Sequence, residues 1–476
     1  MIDLVRRHPP GRTALVEPTA SARLGYGELA DRVDHAAEWL RATLGGRGLA
    51  FLAMGPDIDS VVIYLGCLSA RVPLCLVETE SLSLARLVGA YQPELLLLPE
   101  TLPAPEGYRE RGTRGRYHGW SRHSRSAREP GGERTALHPD LALLLTTSGS
   151  TGNPKLVRLT LRNLESNARS IARYLELGPD ERPIQSLAMH YSYGLSVLNS
   201  HLLAGGTVVL TPHSFLRPEF WKVFDEERCT SFAGVPYVYE TLHRLRFDPA
   251  RHPSLRTMTQ AGGGLRPDLI AHFQQLFARA GRRFFVMYGQ TEATARISYV
   301  PWEALARKIG SIGIAIPDGR LSLAPVEGAE DLRELVYEGP NVMMGYAEGP
   351  EDLAQGDLLG GVLRTGDLGA VDEDGYFRVV GRLKRFAKLF GRRISLEDVE
   401  RDLEAAFPVH VAVLDGADHL VVHVEQDGSV PADALALHVA HRLSVPPGAI
   451  VVRPMRALPR TSSGKKDYRA LERVAP

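Results

Sequence analysis

The segment Thr146-Thr147-Ser148-Gly149-Ser150-Thr151-Gly152-Asn153-Pro154-Lys155 gathers side-chain hydroxyls, two glycines and one lysine in a single run. An apolar stretch, Leu141 to Leu145, precedes it and reads as a buried strand. A strand that opens into such a loop suits phosphate binding. Glycine lets backbone N–H groups approach the oxygens, hydroxyls donate further hydrogen bonds, and an ammonium neutralises charge. The spacing does not fit Gly-x-x-x-x-Gly-Lys-Ser/Thr, so this is not a Walker A loop. A flexible Ser/Gly linker is the plainer reading, but a linker needs neither the strand before it nor the lysine after it.

Lysine usage points the same way. Lysine and arginine together number 56, and seven of them are lysine, leaving 49 arginines. A chain that uses arginine for most positive charge should keep lysine where a compact ammonium matters. Five of the seven lysines, Lys155, Lys384, Lys388, Lys465 and Lys466, fall in glycine-bearing segments, whereas Lys222 and Lys308 read as surface charges. Four further segments carry chemistry. Tyr288-Gly289-Gln290-Thr291-Glu292 follows a predicted strand and places a ring, a hydroxyl and a carboxylate at its end, where α/β sheets bind ligands. Arg364-Thr365-Gly366-Asp367 offers an acceptor-only carboxylate suited to sugar hydroxyls. Gly381-Arg382-Leu383-Lys384, with Lys388 and Gly391, reads as a charged connector, and Pro459 to Lys465 sets a lysine on a polar loop.

In this order and spacing the five segments resemble the adenylate-forming superfamily, which includes acyl- and aryl-CoA synthetases, adenylation domains of peptide synthetases, and luciferases. The resemblance runs from about residue 140 to 470. It implies that a carboxylate attacks the α-phosphate of ATP to give an acyl-adenylate and pyrophosphate, after which the acyl group passes to a nucleophile. By motif it implies that Thr147, Ser148, Gly149, Ser150, Thr151, Gly152 and Lys155 form the phosphate loop. It implies that Tyr288, with Gly289 and Gln290, meets adenine, that Thr291 touches phosphate, and that Glu292 holds Mg²⁺. Asp367 and Arg382 would hold the ribose, and Lys465 would bridge carboxylate and phosphate oxygens. Lys384 would be the hinge of a mobile C-terminal lid, with Lys388 and Gly391 serving the second half-reaction. Lys466 reads as a solvated neighbour of Lys465.

The acyl pocket, by the same resemblance, is lined by Leu187 to Ser196, with His190, Tyr191, Tyr193 and Gly194 as substrate contacts. Aligned on Tyr193-Gly194-Leu195, Tyr191 stands where the family carries its aromatic or histidine gate, with His190 one position before it, and either of the two would line the pocket. Ala261-Gly262-Gly263-Gly264 resembles the stretch where backbone runs beside adenine and acyl group, and its glycines permit close approach. No acidic residue occurs between Ile184 and Gly206. A buried substrate ammonium would lack a counter-charge there, so ordinary α-amino acids are disfavoured, and a largely neutral, aromatic-rich pocket favours an aryl, heteroaryl or medium aliphatic acid.

These residues need a scaffold. Tyr26 to Leu40 has the periodicity of an amphipathic helix, and Glu94 to Leu98 that of a short strand. Leu161 to Leu175 repeats apolar residues at helical spacing, and Thr207–Leu210, Ser231–Val235 and Phe284–Met287 read as strands. The alternation predicts an α/β fold: a large N-terminal domain of layered sheets and helices over 1–383 and a small mobile α+β domain over 384–476. In the latter, Ser395 caps a predicted helix to Ala406, Val409–Leu414 and Leu420–Glu425 form a hairpin about Asp415-Gly416, and Ala432–Leu443 is helical. Residues 106–134, rich in arginine, read as a solvated surface loop whose charge could dock an acidic carrier protein.

At 476 residues the chain exceeds one ordinary core. Its formal net charge of zero gives no general attraction to nucleic acid. Arg71 and Pro73 interrupt the most apolar stretch, so no membrane span is expected. Three scattered cysteines fit a reducing cytoplasm. The chain ends eleven residues after Lys465, which points to a stand-alone ligase. The leading expectation is an AMP-forming acid ligase that uses ATP and Mg²⁺ and delivers the acyl group to CoA or to the phosphopantetheine thiol of a carrier protein. An amide synthetase that delivers the same adenylate to a free amine is the alternative, and a non-catalytic nucleotide-binding protein the third reading.

Overall fold

The computed structural model describes the chain apart from residues 1, 79–80, 104–105, 123–135, 147–154, 328, 384, 390–391, 417, 426–429, 444, 462–464 and 475–476. For residues 2, 4, 81–83, 330–331, 386, 388, 392–393 and 474 only the backbone is described. The chain divides into two compact units, one of residues 1–321 and 337–363, the other of residues 322–336 and 364–476.

The first unit contains two large sheets. In the nine-stranded sheet, Thr13–Glu17, Val208–Leu210, Pro183–Gln185, Ser231–Gly234, Thr257–Gln260 and Arg283–Tyr288 run parallel to one another, and short antiparallel strands close both edges. Parallel strands are covered on both faces, which is why Ser231–Gly234 and Thr257–Gln260 are buried throughout. The eight-stranded sheet orders Gly345–Ala347, Leu156–Thr160, Leu141–Thr146, Leu74–Val77, Ala50–Ala53, Leu95–Pro99, Tyr117–Arg122 and Tyr108–Arg114.

One apolar cluster joins both sheets to the helices Tyr26–Leu44, Ile58–Ala70, Leu161–Tyr174 and Ser192–Ala204. Ile58–Ala70 is apolar on nearly every side, and its buried residues include Val61, Tyr64, Leu65 and Leu68. A helix of that composition belongs between layers rather than on a surface. Asp57 caps it by accepting from the Ser60 amide at 2.8 Å. The Leu161–Tyr174 helix starts at a capping box of Thr160 and Asn163.

The second unit carries a three-stranded sheet of His410–Asp415, Leu420–Glu425 and Ile450–Met455 under the helices Leu396–Ala406 and Ala432–Leu443. The predicted hairpin about Asp415-Gly416 is present, with His410 opposite Glu425 and Asp415 opposite Leu420. The Ser395 cap is present too, accepting from Asp398. Val362–Val371 and Phe377–Arg382 pair in a separate antiparallel sheet.

The arginine-rich stretch differs from its sequence reading. Within it Tyr108–Arg114 and Tyr117–Arg122 form two antiparallel strands, the first of them the edge of the eight-stranded sheet, not a loop. Alternate burial of Tyr117, Gly119 and Ser121 is the reason. Several of its arginines hold partners in the same unit: Arg116 reaches Glu17 at 2.7 Å, Arg111 reaches Ser121 at 2.6 Å and Arg122 reaches Gln92 at 2.8 Å. The rest of the stretch, from residue 123, lies outside the described residues.

Candidate active site

Thr146 and Leu156 are Cα partners in the antiparallel pair that carries the glycine loop, so both ends of the loop are fixed side by side. The loop itself, Thr147 to Pro154, lies outside the described residues. The chain is described again from Lys155, whose ammonium pairs with Glu348 and stands 5.6 Å from the centroid of the Tyr346 ring. Tyr346 belongs to Gly345–Ala347, the strand on the other side of Leu156–Thr160.

Arg158 locks these strands together. It is fully buried and has no carboxylate partner among the described residues. Its guanidinium donates instead to the carbonyls of Tyr346 at 3.3 Å, Met344 at 3.4 Å and Gly356 at 3.3 Å, and to that of Gln355. A planar fork of five donors suits several carbonyls at once. Burial pulls its pKa below the ordinary arginine value.

From the other large sheet the Arg283–Tyr288 strand delivers the second group. Gly289 follows it closely against Ala295: a Cβ there would stand 1.9 Å from the Ala295 carbonyl oxygen. A short helical turn, Thr291–Ala293, then presents Thr291 and Glu292. Thr294 ends the turn at φ 64° and ψ −53°, a conformation rare for a β-branched residue. Bonds from its hydroxyl to the Asn341 carbonyl at 2.7 Å and from its amide to Thr291 at 2.9 Å hold it there.

The two groups meet. The Tyr346 hydroxyl donates to Glu292 Oε1 at 2.6 Å, and the Met343 amide donates to the Glu292 carbonyl at 2.9 Å. Burial, then the Glu292 charge, pushes the Tyr346 phenol above its ordinary pKa, so it stays a donor. Thr291 Oγ1 lies 3.1 Å from the Ser192 hydroxyl at the start of the Ser192–Ala204 helix. The Gln290 amide nitrogen donates to the Tyr288 hydroxyl at 3.1 Å.

The acyl-side residues separate by depth. Tyr191 packs over Gly262, which has φ 84° and would bring a Cβ within 2.6 Å of the Tyr191 hydroxyl. Gly263 and Gly264 follow, with the Gln260 side chain donating to the Gly263 carbonyl at 2.8 Å. Tyr193 lies deeper: its hydroxyl is bonded to Thr259, 2.8 Å from the carbonyl, and its ring faces the buried Arg296 guanidinium at 3.9 Å. Gly194 sits where a Cβ would collide with the Ala188 carbonyl at 2.1 Å. His190 is half-buried, and burial lowers its pKa, which keeps the ring neutral.

In the second unit Asp367 and Arg382 are Cα partners across two strands. Arg382 Nε stands 2.9 Å from Asp367 Oδ1 and 3.7 Å from Glu397. Burial raises the Glu397 carboxyl despite Arg382 and Arg385 beside it. Lys388 lies in the Phe386–Leu389 strand opposite Arg393, and only its backbone is described. Lys384 and Gly391 lie outside the described residues.

Lys465 is held by its backbone: its amide donates to Thr461 Oγ1 at 3.2 Å and its carbonyl accepts from the Thr461 amide at 2.8 Å. Lys466 corrects the sequence reading. It is no solvated neighbour; its ammonium reaches Glu404 at 3.0 Å, Glu400 at 3.2 Å and the Val411 carbonyl at 2.5 Å. Burial works against the charge, but the two carboxylates outweigh it and hold the ammonium above its ordinary pKa. Sequence spacing could not reveal this, because Glu400 and Glu404 lie one turn apart on a helix some sixty residues earlier. It also missed Tyr346, Glu348 and Arg158, which meet the site through the pairing of Leu156–Thr160 with Gly345–Ala347 and the residue after it, and the contact of Ser192 with Thr291.

The model of the AMP-binding enzyme family matches residues 3–347. The chain belongs to the AMP-binding, adenylate-forming enzymes. It is 34% identical over 342 residues to a feruloyl-CoA synthase from Amycolatopsis, covering 68% of each chain. It is 32% identical over 345 residues to a sulfoacetate–CoA ligase from Cupriavidus necator, covering 68% of this chain and 65% of the relative. Among solved structures, ATP-bound MatB from Rhodopseudomonas palustris superposes with a TM-score of 0.78 at 22% identity, covering 99% of this chain and 98% of that one. The o-succinylbenzoate coenzyme A synthetase from Bacillus subtilis, complexed with ATP and magnesium, gives 0.77 at 22% identity over 99% and 98%. These structures share the fold of this AMP-binding enzyme, a mixed α/β architecture.

The chemistry of its residues fits magnesium in one way. Among the described residues no three His, Cys, Asp or Glu side chains gather as a metal cage. Magnesium is commonly held by one or two carboxylates plus substrate phosphates, and Glu292, with one oxygen bonded by Tyr346, is a carboxylate of the type such a site uses. No helix among the described residues is long and apolar enough to cross a membrane. Cys67, Cys75 and Cys229 are buried free thiols.

Proposed function

We propose that this AMP-binding enzyme activates a carboxylic acid with ATP and passes the acyl group to CoA or to a carrier-protein phosphopantetheine thiol. The observation that carries the reading is the convergence of Lys155, Tyr346, Glu292, Thr291 and Ser192 beside the fixed ends of the glycine loop. Nucleotidyl transfer needs positioning and charge neutralisation more than covalent help from the protein. Lys155 and Thr291 would bind phosphate oxygens, and Glu292 would hold magnesium. That ion, when bound, draws charge from the phosphates. Tyr288 would stack on adenine, and the Asp367 carboxylate, oriented by Arg382, would accept from ribose hydroxyls. Lys465 would meet the charge that builds on the reacting oxygens.

The feruloyl-CoA synthase and the sulfoacetate–CoA ligase support the acid and thiol halves of this reading. The acid is aryl, heteroaryl or aliphatic rather than an ordinary α-amino acid, because residues 184–206 supply no carboxylate for a substrate ammonium. The C-terminal residues from 384 would act as a lid turning about Lys384. ATP–pyrophosphate exchange over a panel of these acids tests the first half. Product analysis with CoA and an amine together tests the second. A thioester is expected; an amide formed without CoA would replace the thiol reading by an amide synthetase, and no exchange with any acid would overturn both.

A further inference from the structure

Lys466 forms an antiparallel bridge with Arg460, and the Asp467 amide donates to the Pro459 carbonyl at 2.8 Å. In extended, paired backbone successive side chains leave on opposite sides. Turning the Lys466 side chain into the second unit therefore sets that of Lys465 to the other side.

The Lys466 ammonium has three protons and meets three acceptors: Glu404 at 3.0 Å, Glu400 at 3.2 Å and the Val411 carbonyl at 2.5 Å. These acceptors are themselves fixed. Glu400 Oε1 accepts from the Val413 amide and from Arg385, each at 2.8 Å, and Oε2 accepts from the Tyr468 hydroxyl at 3.0 Å. Glu404 Oε1 accepts from the Val411 amide at 3.1 Å. The Arg385 guanidinium also lies over the Tyr468 ring, 3.8 Å from its centroid. Lys466 is thus seated on the Leu396–Ala406 helix and the His410–Asp415 strand at once.

Stability alone does not call for such a cluster, since apolar residues of similar volume can hold a segment as firmly. What three fixed acceptors add is a defined position for the backbone. That backbone continues directly into Lys465, whose amide donates to Thr461 Oγ1 at 3.2 Å and whose carbonyl accepts from the Thr461 amide at 2.8 Å. A shift of Lys466 moves Lys465 with it, and misplacing a reacting group by about 1 Å costs roughly 100-fold in rate.

We propose that Lys466 is a positioning residue for the first half-reaction: seated on Glu400, Glu404 and Val411, it fixes the backbone that presents the Lys465 ammonium. This rests on the acid-ligase reading above and on the place of Lys465 in it. Lys466 acts through Lys465, so its loss reaches adenylation and spares acyl transfer, which the family resemblance assigns to Lys388 and Gly391.

The test uses the full chain carrying Lys466→Met and Glu404→Gln together. The pair removes the ammonium without stranding a carboxylate: a glutamine amide oxygen can still accept from the Val411 amide, and Glu400 keeps Arg385. Two rates are compared with the parent protein, using the acid of the panel that exchanges fastest. One is ATP–pyrophosphate exchange; the other is transfer from that acid's preformed adenylate to CoA, or to an amine if the parent makes the amide. The kcat for exchange should fall about 10- to 100-fold with the KM for ATP unchanged, while transfer keeps the parent rate. Lys466→Arg, which keeps a charge for both carboxylates, should exchange faster than the double variant. Equal losses in the two rates would make Lys466 merely structural and overturn the proposal. Unchanged exchange, or an arginine variant no faster than the double one, would overturn it too. Should the parent protein exchange with no acid, the ligase reading fails, and the seating of Lys465 is judged by amide hydrogen exchange. Loss of protection at the Lys465 amide, with His410–Asp415 and Leu420–Glu425 still protected, supports it; no change, or equal loss in all three, overturns it.

Discussion

Tyr346 donates its hydroxyl to the Glu292 carboxylate at 2.6 Å, joining the last strand of one large sheet to the loop after a strand of the other. A carboxylate that neighbours no other acid in its own turn is thereby oriented from 54 positions away in sequence.

Tyr346→Phe removes one hydroxyl and keeps the ring beside Lys155. If Glu292 holds magnesium, the loss of an orienting partner weakens metal binding by roughly 10- to 100-fold. The expected result is a magnesium requirement for exchange displaced upward by that factor, with the thermal unfolding midpoint little changed. An unaltered magnesium titration would remove Tyr346 from this role.

Lys465→Ala should slow adenylation by roughly 10²- to 10³-fold, the scale of losing one charge-stabilising donor. Lys465 is tied to Thr461 through its backbone, so the truncation leaves the local hydrogen bonds in place. Circular dichroism should match the parent protein while exchange collapses. Full exchange in this variant would end the assignment.

Lys466→Met addresses stability instead. It leaves Glu404 and Glu400 buried beside a missing ammonium, although Arg385 still reaches Glu400 at 2.8 Å. Breaking a buried pair from one side costs about 3–5 kcal/mol, to be read from denaturant unfolding of the second unit.

The same cluster sets a pH dependence. Burial would raise the Glu400 carboxyl, but Lys466 and Arg385 outweigh it and depress the folded-state pKa. Its contribution is therefore present above about pH 4.3, the ordinary glutamate value, and is lost as pH falls through the depressed value. Lys466 is shifted upward when folded, so its contribution is whole below about pH 10.4 and fades as pH rises beyond it. Stability of the parent protein should fall on acidification more steeply than that of Lys466→Met. Equal slopes would contradict the linkage.

Gly289→Ala puts a methyl group 1.9 Å from the Ala295 carbonyl oxygen, which is backbone and cannot swing away. The turn carrying Thr291 and Glu292 must shift. A loss of about 2 kcal/mol or more is expected, with activity lost at temperatures where the variant is still folded.

What the sequence made legible was local. The Leu141–Thr146 strand, the helix from Leu161 and the Ser395 cap follow from burial period, capping chemistry and turn residues, which act within a few positions. The motif residues Thr291 and Glu292 were legible as types after a strand, and Asp367 as an acceptor carboxylate in its motif. What completed them was not. Tyr346 and Arg158 acquire partners only through strand pairing. Lys466 looked solvated because its neighbours in sequence are polar, whereas the opposite charges that bury it lie on Leu396–Ala406. The arginines of the 108–122 strands looked like a loop because charge outweighed an alternation that Tyr117, Gly119 and Ser121 carry.

Arg158 bonds residues 344, 346, 355 and 356 to the strand that follows the glycine loop. Met344 and Leu358 add amides donated to the Arg158 and Met344 carbonyls at 2.9 and 2.8 Å. A stretch that would otherwise open by itself is thereby made part of the same cooperative block as the central strands. Its amide hydrogens should exchange with solvent on the timescale of the sheet and not on that of a surface turn, so the segment bearing Tyr346 cannot loosen without the strand behind Lys155 loosening too.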